Sequence, residues 1–110
     1  PGVRFDAVRF TPEGPGDGKF GGEEIHGVRF VATDPGAYDP THAAVAALLE
    51  SRRASGDRWE WAAAHFDRLA GTDLLRHQID RDVSLDEIVG AWEGPLATFR
   101  TLRARWLIYP

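Results

Sequence analysis

Apolar positions change their spacing along this chain, from a period near two in the first third to a helical period in the remainder. In VRFDAVRF (3–10), Val3 and Phe5 alternate with polar neighbours, and Val8 and Phe10 resume the alternation after a one-residue slip. That spacing predicts a strand carrying a bulge near Asp6 and Ala7. EIHGVRFVAT (24–33) sets Ile25, Val28, Phe30 and Ala32 around Gly27, which predicts a second strand paired with the first and a bulge or close approach at the glycine. Between them TPEGPGDGKFGG (11–22) holds five glycines and two prolines in twelve residues and reads as a long surface loop.

Helical spacing begins after Asp39-Pro40, an N-cap followed by proline at the first helical position. Val45, Leu48, Leu49 and Arg52 then share one face up to Ser55-Gly56, a helix of about four turns. In DRWEW (57–61), Trp59 and Trp61 alternate with Arg58 and Glu60, which suits either a short strand with both indoles on one face or an aromatic turn. Short helices follow. In HFDRLAGTDLLRH (65–77), Gly71 is placed to end one helix in the left-handed conformation, Thr72 to cap the next, and Asp73 to lie in its first turn. Phe66, Leu69, Leu74 and Leu75 are expected to turn inward around that corner.

Ser84 with Glu87 forms a capping-box pattern and Val83 with Ile88 a hydrophobic staple, so another helix starts there. Its apolar face runs through Ile88, Trp92, Leu96, Phe99 and Leu102 and keeps phase across Gly94-Pro95, which predicts one helix with a kink. The final RWLIYP (105–110) is β-prone and is expected to return to the sheet as a last strand stopped by Pro110. The whole reads as a single α+β domain, a small mainly antiparallel β-sheet packed with three or more helices.

Composition narrows the partners. At 110 residues the chain is long enough to build a core without staples, and 43% apolar with 27% charged residues is ordinary globular usage. The formal net charge is -4, and the twelve arginines are dispersed among acids, so nucleic acid is not an expected partner. No apolar run approaches 18 residues, so no membrane span is expected in this segment, nor does any stretch read as a signal peptide. With no cysteine, disulfides and thiolate metal sites are excluded. The chain starts at Pro1 and enters a strand pattern within two residues, which reads as a domain cut from a longer protein.

Candidate chemistry is sparse. His26, His42, His65 and His77 lack the spacing of a zinc site, so no metal or other cofactor is expected. Ser51, Ser55 and Ser84 lie outside any nucleophile-elbow pattern. GPGDGKFGG lacks both phosphate-binding fingerprints, although Lys19 and the amides around it could meet a sugar or a carboxylate across a cleft. Trp59, Trp61, Trp92 and Trp106 could stack on sugar rings or fill a core, and Trp92 is in phase with a buried face.

Taken in order, FTP (10–12), GKFGGEEIHGVRFVATD (18–34), FDRLAGTDLLR (66–76), SLDEIVGAW (84–92) and FRTLRARWLIY (99–109) resemble the C-terminal domain of the NamZ-type exo-β-N-acetylmuramidases. The resemblance implies a bacterial, exported or envelope-associated glycosidase of peptidoglycan recycling. In that family a larger Rossmann-like N-terminal domain, absent from this chain, carries the catalytic glutamates, and the smaller domain completes the cleft for peptidoglycan fragments. It implies no catalytic residue in residues 1–110 and no cofactor. The matching Phe10, Thr11, Pro12 and Lys19 make the first loop the part expected to face substrate. Ile25, His26 and Gly27 stand where the family commonly has a cysteine and two glycines. A free-standing carbohydrate-binding or protein-interaction module is the alternative.

Overall fold

The computed structural model describes residues 1–109. Two compact units divide the chain, Pro1–Pro40 and the residues from Thr41 onward. The first holds a two-stranded antiparallel sheet and the second the helices, an α+β composition.

In the first unit β1 (Val3–Phe10) pairs with β2 (Ile25–Ala32) in an unbroken register, from Val3 opposite Ala32 to Phe10 opposite Ile25. No bulge interrupts Asp6 and Ala7, which face Arg29 and Val28. The apparent slip has a different cause: both faces of the ribbon carry apolar side chains, Val3, Phe5 and Ala7 on one and Val8 and Phe10 on the other. On the first face Phe5 meets Phe30 edge-on at 4.9 Å between ring centroids. On the second, a Cβ at Gly27 would lie 3.1 Å from the Phe10 ring, so the glycine serves close approach without a bulge. Arg4 grips Asp6 on that face through Nε at 2.7 Å and Nη2 at 3.0 Å.

In the second unit α1 (Pro40–Ser55) starts at the expected proline and runs 16 residues. A 3-10 turn, Gly56–Arg58, leads to α2 (Ala63–Ala70), α3 (Leu74–Asp80) and α4 (Leu85–Ala104). Val45 and Leu49 of α1, Ile79 of α3 and Ile88 of α4 form the buried centre, with Leu48, Trp61, Leu75, Val83, Leu85 and Trp92 packed against it. Burying each of those four aliphatic side chains is worth roughly 1.5–3 kcal/mol against exposure. The spacing of Val45 with Leu49 is what turns α1 onto this centre.

The N-terminus of α4 forms as its sequence requires: Ser84 is extended and its hydroxyl accepts the Glu87 N–H at 3.2 Å. The helix continues through Pro95 to Ala104, with Thr98 and Thr101 donating their hydroxyls to the carbonyls of Gly94 and Ala97. The expected last strand does not form; residues 105–109 follow the helix as a turn and irregular chain. The helical phase carries through Leu102, and a β-prone run pairs only where a sheet edge receives it. Pro110 lies outside the described residues. Among the described residues no helix is long and apolar enough to cross a membrane.

Candidate functional site

The loop between β1 and β2 is folded by its own hydrogen bonds. Gly22 N–H donates to Pro12 O at 3.0 Å and closes the base, Gly18 N–H donates to Pro15 O at 3.0 Å, and Glu23 N–H to Phe20 O at 3.1 Å. Asp17 Oδ1 accepts the Lys19 backbone N–H at 3.2 Å, and Phe20 takes a left-handed φ of 56°. Phe10 ends β1 with half its surface exposed, Thr11 and Pro12 continue from it at the base, and Lys19 lies in the distal half. Lys19 is the one cation of residues 11–24, against Glu13, Asp17, Glu23 and Glu24, a formal charge of +1 − 4 = −3.

At the α2–α3 corner Gly71 has φ 75° and ψ 4°, the left-handed helix terminator expected there. Thr72 Oγ1 accepts the Leu74 N–H at 3.1 Å, while Asp73 already has helical dihedrals, so Thr72 acts as the cap. Across the corner Arg76 holds Asp67 in a two-pronged pair, Nε to Oδ1 at 2.9 Å and Nη2 to Oδ2 at 2.8 Å, with both side chains largely covered. Hydrogen bonding from Arg76 lowers the pKa of the Asp67 carboxyl and raises that of the guanidinium. Nine residues separate the partners, beyond any within-helix spacing, so the pair is invisible until the glycine turn is in place. His65 Nδ1 lies 3.1 Å from Arg68 Nη2, and His77 Nε2 lies 3.7 Å from Asp73.

Phe66 and Leu75 are half-buried at this corner, but Leu69 is 72% and Leu74 51% exposed, against the expectation that all four turn inward. They line an open groove of about 500 Å³ whose floor includes Val45, Leu48, Phe66 and Trp92. Helical spacing near a short helix end does not distinguish such a rim from the core beneath it.

Trp59 and Trp61 sit in an irregular segment, neither strand nor turn, their rings 5.0 Å apart and nearly perpendicular at 85°, which gives no common flat surface for a sugar. Trp61 packs on Phe66 at 4.6 Å and donates its indole N–H to Asp80 Oδ1 at 2.7 Å, anchoring this segment to α3. No group of three or more potential ligands that could hold a metal occurs among the described residues. None of them is a buried polar or charged residue. Asp6, held by hydrogen bonding from Arg4, is displaced downward in pKa, as Asp67 is.

The two ends of the folded loop and the clamped corner fall inside stretches that carry the resemblance, and a family comparison covers them together. The model described as "Exo-beta-N-acetylmuramidase NamZ, C-terminal" matches residues 1–109. The chain belongs to this NamZ C-terminal family. The peptidoglycan beta-N-acetylmuramidase NamZ of Bacillus subtilis (strain 168) is 29% identical over 110 residues, 99% of this chain and 26% of that protein. This NamZ C-terminal domain therefore spans about a quarter of the length of its Bacillus relative. No solved structure matches the chain significantly.

Proposed function

We propose that this chain is the non-catalytic C-terminal domain of a peptidoglycan exo-β-N-acetylmuramidase, which completes the substrate cleft of a preceding Rossmann-like catalytic domain. The observation that carries this reading is the end-to-end match to the NamZ C-terminal family, at about a quarter of the length of the muramidase relative. The parent protein acts in peptidoglycan recycling, and Phe10, Thr11, Pro12 and Lys19 face its sugar substrate, the Phe10 edge against the ring and the Lys19 ammonium toward the acid group of N-acetylmuramic acid.

Steady-state kinetics on the full-length parent with a chromogenic N-acetylmuramic acid glycoside test the cleft assignment. Phe10→Ala and Lys19→Ala are expected to raise KM several-fold with kcat little changed, the signature of lost uniform binding. Unchanged kinetics in both variants contradict the assignment of this loop to the cleft. Muropeptide binding by the 110-residue chain alone, read from tryptophan fluorescence, favours a free-standing module instead.

A further inference from the structure

The apolar stripe of α4 outruns the core that it helps to build. Ile88 is fully buried and Trp92 packs on the centre, yet the same face continues as Leu96, Phe99 and Leu102, which are 44%, 58% and 50% exposed. Four helix positions separate Trp92 from Leu96, three separate Leu96 from Phe99, and three more lead to Leu102, so these side chains lie along one side of the rod. Trp106 adds 77% exposure four residues further on. From Leu96 to Ala104 the helix carries this strip for roughly 13 Å at 1.5 Å per residue.

The strip is charged on one sign only. The charged side chains of this stretch are Arg100, Arg103 and Arg105, of which Arg103 lies over the Phe99 ring at 6.0 Å, and no acidic side chain occurs after Glu93. Two copies of the strip face to face would bring six arginines together without compensating carboxylates, which disfavours a second copy as the cover. A contiguous apolar strip rimmed by arginine is instead the anatomy of one side of a protein interface. The muramidase relative has about three-quarters of its length outside the region matched here, ample chain to supply the other side.

We infer that the C-terminal half of α4, centred on Phe99 with Leu96 and Leu102 and followed by Trp106 in the turn after the helix, is the seat on which the preceding catalytic domain docks, through an apolar depression rimmed by carboxylates. The inference rests on the two-domain reading above and adds the surface. Docking there extends the buried face of α4 beyond its own unit and makes the helix the shared strut of both domains. Phe99 is the anchor, because an aromatic at the centre of such a strip fills a pocket while the flanking arginines meet the rim.

Photo-cross-linking of the full-length parent tests this with Phe99→p-benzoylphenylalanine, irradiation and peptide mass mapping. An intramolecular adduct to the preceding domain is the expected result, with Asp or Glu near the modified residue. An adduct to residues 1–40, an adduct between two copies, an adduct to lipid alone, or no adduct overturns it. Hydrolysis of the N-acetylmuramic acid glycoside by the same sample reports on the enzyme assignment separately. An active parent without the expected adduct loses only the docking surface, and an inactive parent with it loses only the assigned activity.

Discussion

A Cβ added at Gly71 would meet no neighbouring atom within 4 Å, yet valine is disfavoured there, because φ of 75° is a backbone state that L side chains rarely adopt. The cost is therefore conformational, roughly 1–2 kcal/mol and highest for a β-branched residue. His65→Ala and His77→Ala touch only exposed local partners and should stay within about 0.5 kcal/mol of the parent. Urea melts of the three variants check the order, and equal or reversed losses would remove the corner assignment. Ser84→Ala should cost about 1 kcal/mol by freeing the Glu87 N–H, seen as a lower urea midpoint with an unchanged slope. Both residues were legible in the sequence because their roles are local: a turn needs a left-handed residue, and a helix start needs an acceptor. Leu69 and Leu74 were not, since whether an apolar residue at a corner fills a core or rims a groove is decided by distant helices.

Among elements, the α2–α3 hairpin depends on a pair that the glycine turn alone makes possible. The lowered pKa of Asp67 has a definite consequence for acid stability. A carboxyl depressed on folding contributes stability that is fully present above its unfolded pKa and is lost as pH falls through the lower folded value. Urea midpoints of the parent and Asp67→Asn should therefore differ most above about pH 5, by the unfolded aspartate value, and converge as pH drops toward 2. A gap independent of pH would assign the loss to packing rather than to the charge. The two strands, α1, the capped start of α4 and its passage through Pro95 follow from period and punctuation. The bulge in β1 was misread because a ribbon with apolar residues on both faces mimics a slip in phase. The terminal strand was misread because β propensity ranks residues without saying whether a sheet edge waits for them.

At the scale of the whole molecule, the features that remain unfinished all point outward: a ribbon with Phe5, Phe30 and Val28 uncovered, an open groove beside α2, and the bare end of α4. The helical unit buries four aliphatic side chains at its centre, and the apolar surface left in water is what the proposed docking onto a preceding domain would cover. The chain's family placement is legible in an ordered series of short motifs running nearly end to end. The central claim is that the domain assists catalysis and performs none. The most direct measurement is the rate of release from a chromogenic N-acetylmuramic acid glycoside by the folded 110-residue chain, set beside the full-length parent at equal molarity. Release by the parent with none above background from the chain is the predicted result, and turnover by the chain alone would contradict it.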